Sequence, residues 1–116
     1  MSYVFAARQS FTVPATNGQY ASEEIVFAPS TVAVVPSGLL GVSAVIESTP
    51  ASASLELWLL QVEGDPTNAA DWFYSGNNVT AANALVTWPL ASYPGAKLRA
   101  KSGGTSGSLV ADASAD

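Results

Sequence analysis

The chain has 116 residues, a length that fits one domain with a core large enough to fold without disulfides or a structural metal. It contains no cysteine and no histidine, which excludes zinc sites built on those residues, thiol nucleophiles, histidine bases and Ser-His-Asp triads within this chain. The net charge is −5 with only four basic residues, so nucleic acid is not an expected partner, because phosphate binding requires a clustered basic surface.

The composition indicates a folded protein with an unusually neutral surface. Hydrophobic residues make up 48% of the chain and charged residues only 11%, whereas disorder requires low hydrophobicity and high net charge. Such a surface suits a protein that is covered by neighbouring subunits. The first residues lack the basic and apolar regions of a signal peptide, so we expect a cytosolic product. No apolar run reaches 18 residues, so no membrane contact is expected.

The first half of the chain predicts strands separated by turns. Residues 3–16 form either a first strand or an extended arm that packs on a neighbour. The Asn17-Gly18 pair predicts a hairpin, or at least a sharp reversal, leading into a second arm at residues 24–28. Residues 31–35 are predicted as a short strand. Residues 40–48 alternate, with Val42, Ala44 and Ile46 on one side.

The chain is organised around residues 55–62, which are apolar on both faces when read as a strand. Leu55, Leu57 and Leu59 share one face, whereas Trp58, Leu60 and Val62 share the other. A strand of this kind is usually covered on both sides. We therefore predict a central strand, since eight residues flanked by breakers are too few for a typical helix.

The second half adds four strands and one helical turn. Asp65 is a good N-cap with Pro66 in the first helical position, which predicts a helical turn through Ala70. Residues 72–75 and 84–90 are predicted strands, and residues 97–101 and 108–113 are predicted to form a terminal hairpin. About eight strands in all predict a single all-β domain over residues 1–116, an antiparallel β-sandwich or jelly roll. Alternation alone leaves a sandwich and a barrel both open.

Two sets of side chains that carry oxygen ligands or carboxylates are candidates for chemistry. Glu63, Asp65, Asn68 and Asp71 supply oxygen ligands, but their spacing does not match an EF-hand loop, so we expect a capped surface turn without metal. Glycosidases need two facing carboxylates. The pairs available are Glu23 with Glu24 and Glu47 with Glu56, and we expect all four to be solvated surface groups. No cofactor is expected.

Aromatic and basic residues supply the candidate contact surface. The aromatic set serves the core, a protein interface or sugar stacking; its members are Trp58, Trp72, Phe73, Tyr74, Trp88 and Tyr93. Lys97, Arg99 and Lys101 occupy one face of one strand. That arrangement indicates either a positive stripe that meets an acidic partner or the protection of an edge strand against aggregation.

The terminal part of the chain resembles the head decoration (cement) proteins of tailed bacteriophages. The resemblance lies in the Trp88-Pro89-Leu90 run and in residues 93–105, where an alternating basic strand is followed by the Ser102-Gly103-Gly104-Thr105 turn. It implies an all-β domain, often trimeric, that sits on the outer capsid surface of the virion and clamps coat subunits of the major capsid protein. It brings no catalytic residues.

Together these observations predict a non-enzymatic virion structural protein that stabilises a capsid. The expected contact residues lie in the amino-terminal arm, the aromatic strand and the basic stripe; they are Tyr3, Phe5, Phe11, Trp72, Tyr74, Lys97, Arg99 and Lys101. The first alternative is a carbohydrate- or receptor-binding module of a phage fibre or tail. A hydrolase and a connector or tail-completion subunit are the further alternatives.

Overall fold

The computed structural model describes residues 5–28 and 38–116, with Phe5 described by its backbone alone. Eight strands in these residues form two antiparallel sheets of four strands each, and a short 3₁₀ turn spans Ala69–Asp71. The prediction of a single antiparallel β-sandwich is therefore confirmed. The strands are β1 (Phe5–Val13), β2 (Tyr20–Phe27), β3 (Leu39–Ser48), β4 (Ser54–Leu60), β5 (Trp72–Val79), β6 (Leu85–Tyr93), β7 (Gly95–Lys101) and β8 (Gly107–Ala115).

The strand order shows that the chain passes repeatedly between the sheets. Sheet A has the order β1-β8-β3-β6, and sheet B has the order β2-β7-β4-β5. Among the eight described strands, only β4 and β5 are consecutive in the chain and share a sheet, because every other consecutive pair is divided between A and B. The predicted strand at residues 31–35 lies outside the described residues.

The sharp reversal predicted near Asn17 and Gly18 is present, but neither predicted hairpin forms, and the reason is the same for both. At the reversal, Gly18 has a φ of +89° and the Gln19 amide donates to the Thr16 carbonyl at 3.1 Å. However, β1 pairs with β8, and β2 pairs with β7. The terminal strands β7 and β8 also separate into opposite sheets. In each predicted hairpin the two strands belong to opposite sheets, and they pack apolar residues against each other across the core instead of sharing backbone hydrogen bonds.

The central strand lies where the sequence placed it, inside sheet B between β7 and β5. Leu55, Leu57 and Leu59 face the core. On the opposite face Leu60 is fully buried, because the β4–β5 connection folds back and places Gly64 against it. The strand ends at Leu60, and Val62 is 74% exposed, so including Val62 in this strand was wrong.

Strand β3 follows its predicted alternation, with Val42, Ala44 and Ile46 buried. A β-bulge precedes this regular part: the amides of Leu40 and Gly41 both donate to the Asp116 carbonyl, at 2.6 and 3.3 Å. The bulge turns Leu40 outward, although Leu39 beside it is buried.

The helical turn begins later than predicted. It is the 3₁₀ turn Ala69–Asp71, and Asn68 is its N-cap, with the Asn68 side chain accepting from the Ala70 amide at 3.1 Å. Asp65 instead accepts from the Thr67 amide at 2.9 Å and from the Thr67 hydroxyl at 2.7 Å, which closes a separate turn. The described residues include no helix that is long and apolar enough to cross a membrane.

Candidate functional site on the outer face of sheet B

The outer face of sheet B carries a layer of aromatic and charged side chains. Alternation sends the leucines of β4 and Leu98 of β7 inward and leaves the residues between them outward. The strand register aligns the outward residues in two rows. One row reads Glu24, Arg99, Glu56 and Asn78, and the next reads Val26, Lys97, Trp58 and Tyr74. We call the outward side chains Tyr20, Glu24, Glu56, Trp58, Tyr74, Lys97 and Arg99 the outer layer.

A single carboxylate in this layer is shared by two cations. Glu24 Oε2 lies 3.0 Å from Lys97 Nζ and 3.4 Å from Arg99 Nε. Lys97 is only 8% exposed, so the cation of this pair is largely removed from water, whereas the Glu24 side chain is 30% exposed. Arg99 Nε is buried and, among the described residues, has no aligned hydrogen-bond acceptor. Its attraction to Glu24 is therefore ionic without a well-formed hydrogen bond.

The same two cations pack on aromatic rings. Lys97 Nζ lies 4.7 Å from the centre of the Trp72 ring, and the Arg99 guanidinium carbon lies 3.8 Å from that of Tyr20 and 4.6 Å from that of Trp58. Tyr20 meets Trp58 edge to face at 6.0 Å, and Trp58 meets Tyr74 at 5.8 Å. These contacts fall in the range of favourable cation–π and aromatic pairs, so they hold the long side chains in one arrangement.

The buried carboxylate of Glu56 holds two aromatic side chains of the outer layer in position. Glu56 is only 4% exposed, and its Oε1 accepts hydrogen bonds from the Tyr20 hydroxyl at 2.7 Å and from Trp58 Nε1 at 3.0 Å. Burial, and then the hydrogen bond to Glu56, raise the pKa of Tyr20 to about 12. Tyr20 therefore stays a protonated donor well above neutral pH, and its hydroxyl holds the Glu56 carboxylate in position.

The outer face of sheet B brings together five of the eight predicted contact residues: Trp72, Tyr74, Lys97, Arg99 and Lys101. Tyr74 is 38% exposed, and its hydroxyl accepts from Asn78 Nδ2 at 2.8 Å. Lys101 is half-buried and has no ion pair with any residue that the structure describes. Trp72 is buried and donates from Nε1 to the Pro66 carbonyl at 3.1 Å, so its ring supports the surface from within.

The remaining predicted contact residues fare differently. Phe11 is fully buried in the core, so it is not available to a partner and that prediction was wrong. Tyr3 and the side chain of Phe5 lie outside the described residues. The basic residues do not form a free stripe, because Lys97 and Arg99 are already paired with Glu24. Edge protection was also a wrong interpretation, since β7 is an interior strand.

Sequence reasoning did not assign Tyr20, Glu24 and Glu56 to the site. Glu56 and Trp58 stand two residues apart in a strand, and this spacing signals that they share a face. The pairing of Glu24 with β7 depends on strand register between segments more than 70 residues apart in the chain, and no local pattern reports it.

A cavity of about 290 Å³ opens beside the outer layer, under the β4–β5 connection. Its walls include the two tryptophans, both paired cations and their carboxylate; the lining residues are Glu24, Trp58, Pro66, Thr67, Ala69, Trp72, Lys97 and Arg99. Aromatic surface and fixed polar groups therefore occur side by side in a concave place.

The acidic candidates do not meet. Glu47 is on β3 in sheet A and Glu56 is on β4 in sheet B, so the two carboxylates belong to opposite sheets and do not form a facing pair. Asp71 accepts from the Asp65 amide at 2.7 Å and from the Gln61 side chain at 2.8 Å, which uses its oxygens within the turn. In the described parts of the chain no group of three or more acidic residues could hold a metal ion.

Comparisons with protein-family models, with curated proteins and with solved structures found no match to this chain. The fold and the site define a β-sandwich that displays a pre-arranged surface of aromatic and paired charged side chains on one sheet.

Proposed function

We propose that this chain is a non-enzymatic structural protein that binds a larger protein through the outer face of sheet B. The outer layer carries the proposal, because tyrosine, tryptophan and arginine are the residues most enriched at the energetic centres of interfaces. Most of its polar groups already have partners within the chain, so a partner protein would meet a surface with few side chains left to order. Tyr74 and Val26, which is 50% exposed, are the accessible contacts of this surface.

The specific role that we propose is that of a capsid decoration protein bound to coat subunits on the outside of a phage head. The resemblance in residues 88–105 supports this role. The part of that segment in β7 also supplies Arg99 to the outer layer and Lys101 beside it. An interface of ordinary size needs about 800 Å² from each partner. One face of four strands, about 5 Å apart and about 25 Å long, offers roughly 500 Å², so further contacts outside this face would complete the attachment.

Binding of the purified chain to heads that lack it tests this proposal. The heads come from the phage or prophage that encodes the chain. Tyr74→Ala should weaken attachment at least tenfold, since it removes an exposed aromatic contact. Lys101→Ser should reduce the salt dependence of attachment.

Arg8→Ser is the matched control for Lys101→Ser. It removes the same charge from the outer face of sheet A, where Arg8 pairs with Glu47 at 3.1 Å. Attachment and its salt dependence should stay at the level of the unaltered protein. Heads that do not bind the chain, or an Arg8→Ser effect as large as that of Lys101→Ser, would contradict the proposal.

A second candidate is a carbohydrate-binding module, which the cavity beside Trp58 and Trp72 favours. Sugars stack on aromatic rings, so binding would change tryptophan fluorescence in a titration with polysaccharides. Trp58→Phe should remove most of that change. A flat titration with every polysaccharide tried would leave the protein-binding role as the better supported one.

A further inference from the structure

The described part of the sandwich has four edge strands: β1 and β6 in sheet A, and β2 and β5 in sheet B. An edge strand presents unpaired backbone amides and carbonyls to which another strand can bind, and natural proteins usually block such edges with charges, bulges or proline. The four edges of this protein differ in how they are blocked.

The edge of β1 is blocked by side chains. Glu23 accepts from the Thr12 amide at 2.8 Å and from the Thr12 hydroxyl at 3.0 Å, so its carboxylate occupies the position that a neighbouring strand would take. These bonds also lower the pKa of Glu23. The side-chain amide of Gln9 donates to the Ser10 carbonyl at 2.8 Å and blocks the next position along the edge.

Both edges of sheet B are irregular. Strand β2 loses its register with β7 between Tyr20 and Glu24. Strand β5 bulges at Gly76, which has a φ of +87°, while the Ser75 hydroxyl donates to the Leu57 carbonyl at 2.6 Å. A bulge twists a strand and interrupts the even spacing that a second strand needs.

Strand β6 lacks these protections over its regular part. Its nine residues, Leu85–Tyr93, include no charged side chain, and within the described residues it pairs only with β3. Beyond Pro89 the strand is irregular, since its register with β3 shifts between Pro89 and Tyr93 and Ser92 has a φ of +61°. Within the regular part, Leu85–Pro89, the one protective residue is Pro89, which stands opposite Gly41. The amide and the carbonyl of Gly41 both bond to Asp116, which directly follows β8, and therefore point away from β6. Gly41 and Pro89 are thus a pair without hydrogen bonds between them, and the Pro89 nitrogen points away from β3, toward the edge.

This orientation identifies the backbone groups of β6 that have no partner strand among the described residues. By alternation, those of Leu85, Thr87 and Pro89 point away from β3. Leu85 and Thr87 each offer a donor and an acceptor, and Pro89 offers an acceptor. The side chains here are apolar or neutral on both faces: Leu85 is 71% exposed on the outer face, and Val86 and Trp88 are half-buried on the inner face.

We propose that β6 is a self-association edge, at which it pairs antiparallel with β6 of a second copy about a two-fold axis at Thr87. Strand β6 is complementary to itself in that register, since Leu85 meets Pro89 of the other copy and Val86 meets its Trp88. The Thr87 pair forms two main-chain hydrogen bonds, and each Leu85 amide adds one to the opposite Pro89 carbonyl. Two copies of sheet A then form one eight-stranded sheet.

The absence of charge is what favours a second copy as the occupant. A two-fold axis places each residue near its own counterpart, so any charge close to the axis would repel itself. Strand β6 carries no charged residue, although the whole chain has a net charge of −5. The pairing is two-fold, unlike the trimer that the resemblance to decoration proteins implies, and it leaves the outer face of sheet B free.

Light scattering on a size-exclusion column over a dilution series tests this inference. The mass that light scattering measures for the unaltered chain should be twice the monomer mass of 11.9 kDa, and it should fall toward the monomer mass on dilution. Thr87→Lys places two like charges at the axis and should weaken the dimer at least tenfold.

Ser43→Lys is the matched control. The Ser43 and Thr87 hydroxyls bond to each other at 3.0 Å on the outer face of sheet A, so both substitutions remove that bond and add the same charge to the same face. Ser43, however, lies on the interior strand β3, and its variant should remain dimeric. In hydrogen exchange, the Leu85 and Thr87 amides of the dimer should exchange more slowly than those of the Thr87→Lys variant.

Three results would overturn the inference: a monomer or a trimer at every concentration, a Thr87→Lys variant that dimerises like the unaltered chain, or a Ser43→Lys variant that dissociates as readily as Thr87→Lys. The last result would place the contact on the face of sheet A instead of on its edge.

Discussion

Replacing Tyr20 by phenylalanine removes one hydroxyl from the outer layer and tests whether this layer stabilises the fold. The hydroxyl donates to Glu56 at 2.7 Å, and Glu56 is buried, so the variant leaves Trp58 Nε1 as its remaining side-chain donor. A hydrogen bond to a charged group contributes about 1.5–3 kcal/mol. We therefore expect the free energy of unfolding to fall by about 2 kcal/mol, a large part of the roughly 5–15 kcal/mol that a domain of this size has.

Urea unfolding measures this change. With a slope near 2 kcal/mol per molar, the midpoint should fall by about 1 M while the slope stays the same. Tyr93→Phe is the matched control, because the Tyr93 ring packs on Phe73 at 5.8 Å while its hydroxyl forms no side-chain hydrogen bond with a described residue. Its effect should stay within about 0.5 kcal/mol. Equal midpoints for the two variants would refute the role assigned to the Tyr20–Glu56 bond.

Three further predictions concern stability. The pKa of Tyr20 is raised from 10.0 to about 12, so the stability that the protonated Tyr20 adds is complete below pH 10 and is lost as the pH rises to 12. Urea unfolding over this range should show that the free energy of unfolding falls by about 1 kcal/mol after solvent screening, and Tyr20→Phe should not show this loss. Gly103→Ala brings a Cβ onto a neighbouring backbone carbonyl and should cost about 3 kcal/mol in urea unfolding, whereas Gly76→Ala, with open space around it, should cost about 1 kcal/mol. Glu24→Gln leaves the nearly buried Lys97 without its carboxylate and should cost about 2–3 kcal/mol by the same assay, a loss that added Lys97→Met should partly restore.

The sequence predicts the strands of this fold well. The alternation of Val42, Ala44 and Ile46 and the two apolar faces of β4 are local patterns, and burial follows from them directly. The division of strands between the sheets could not be predicted in this way. A turn at Gly18 reverses the chain equally well within one sheet or between two, and the choice depends on how distant strands such as β1 and β8 pair.

Only part of the site could be predicted, because the rest also depends on how distant strands pair. The alternation of Lys97, Arg99 and Lys101 correctly placed them on one face, but their exposure depends on neighbours from other strands. Glu24 and Tyr20 reach them only through the register of β2 with β7. Charge pairing of this kind is a tertiary property, so two of the three residues that predicted a free basic stripe, Lys97 and Arg99, are instead paired with Glu24.

Hydroxyl-radical footprinting of the chain, free and bound to heads, tests most directly whether the outer face of sheet B is the binding surface. Tyr74 reports on that face, and Leu40, which is 54% exposed, reports on sheet A. We expect head binding to reduce the oxidation of Tyr74 several-fold and to leave Leu40 unchanged. Protection of Leu40 with unchanged oxidation of Tyr74 would contradict the account, because it would place the partner on sheet A.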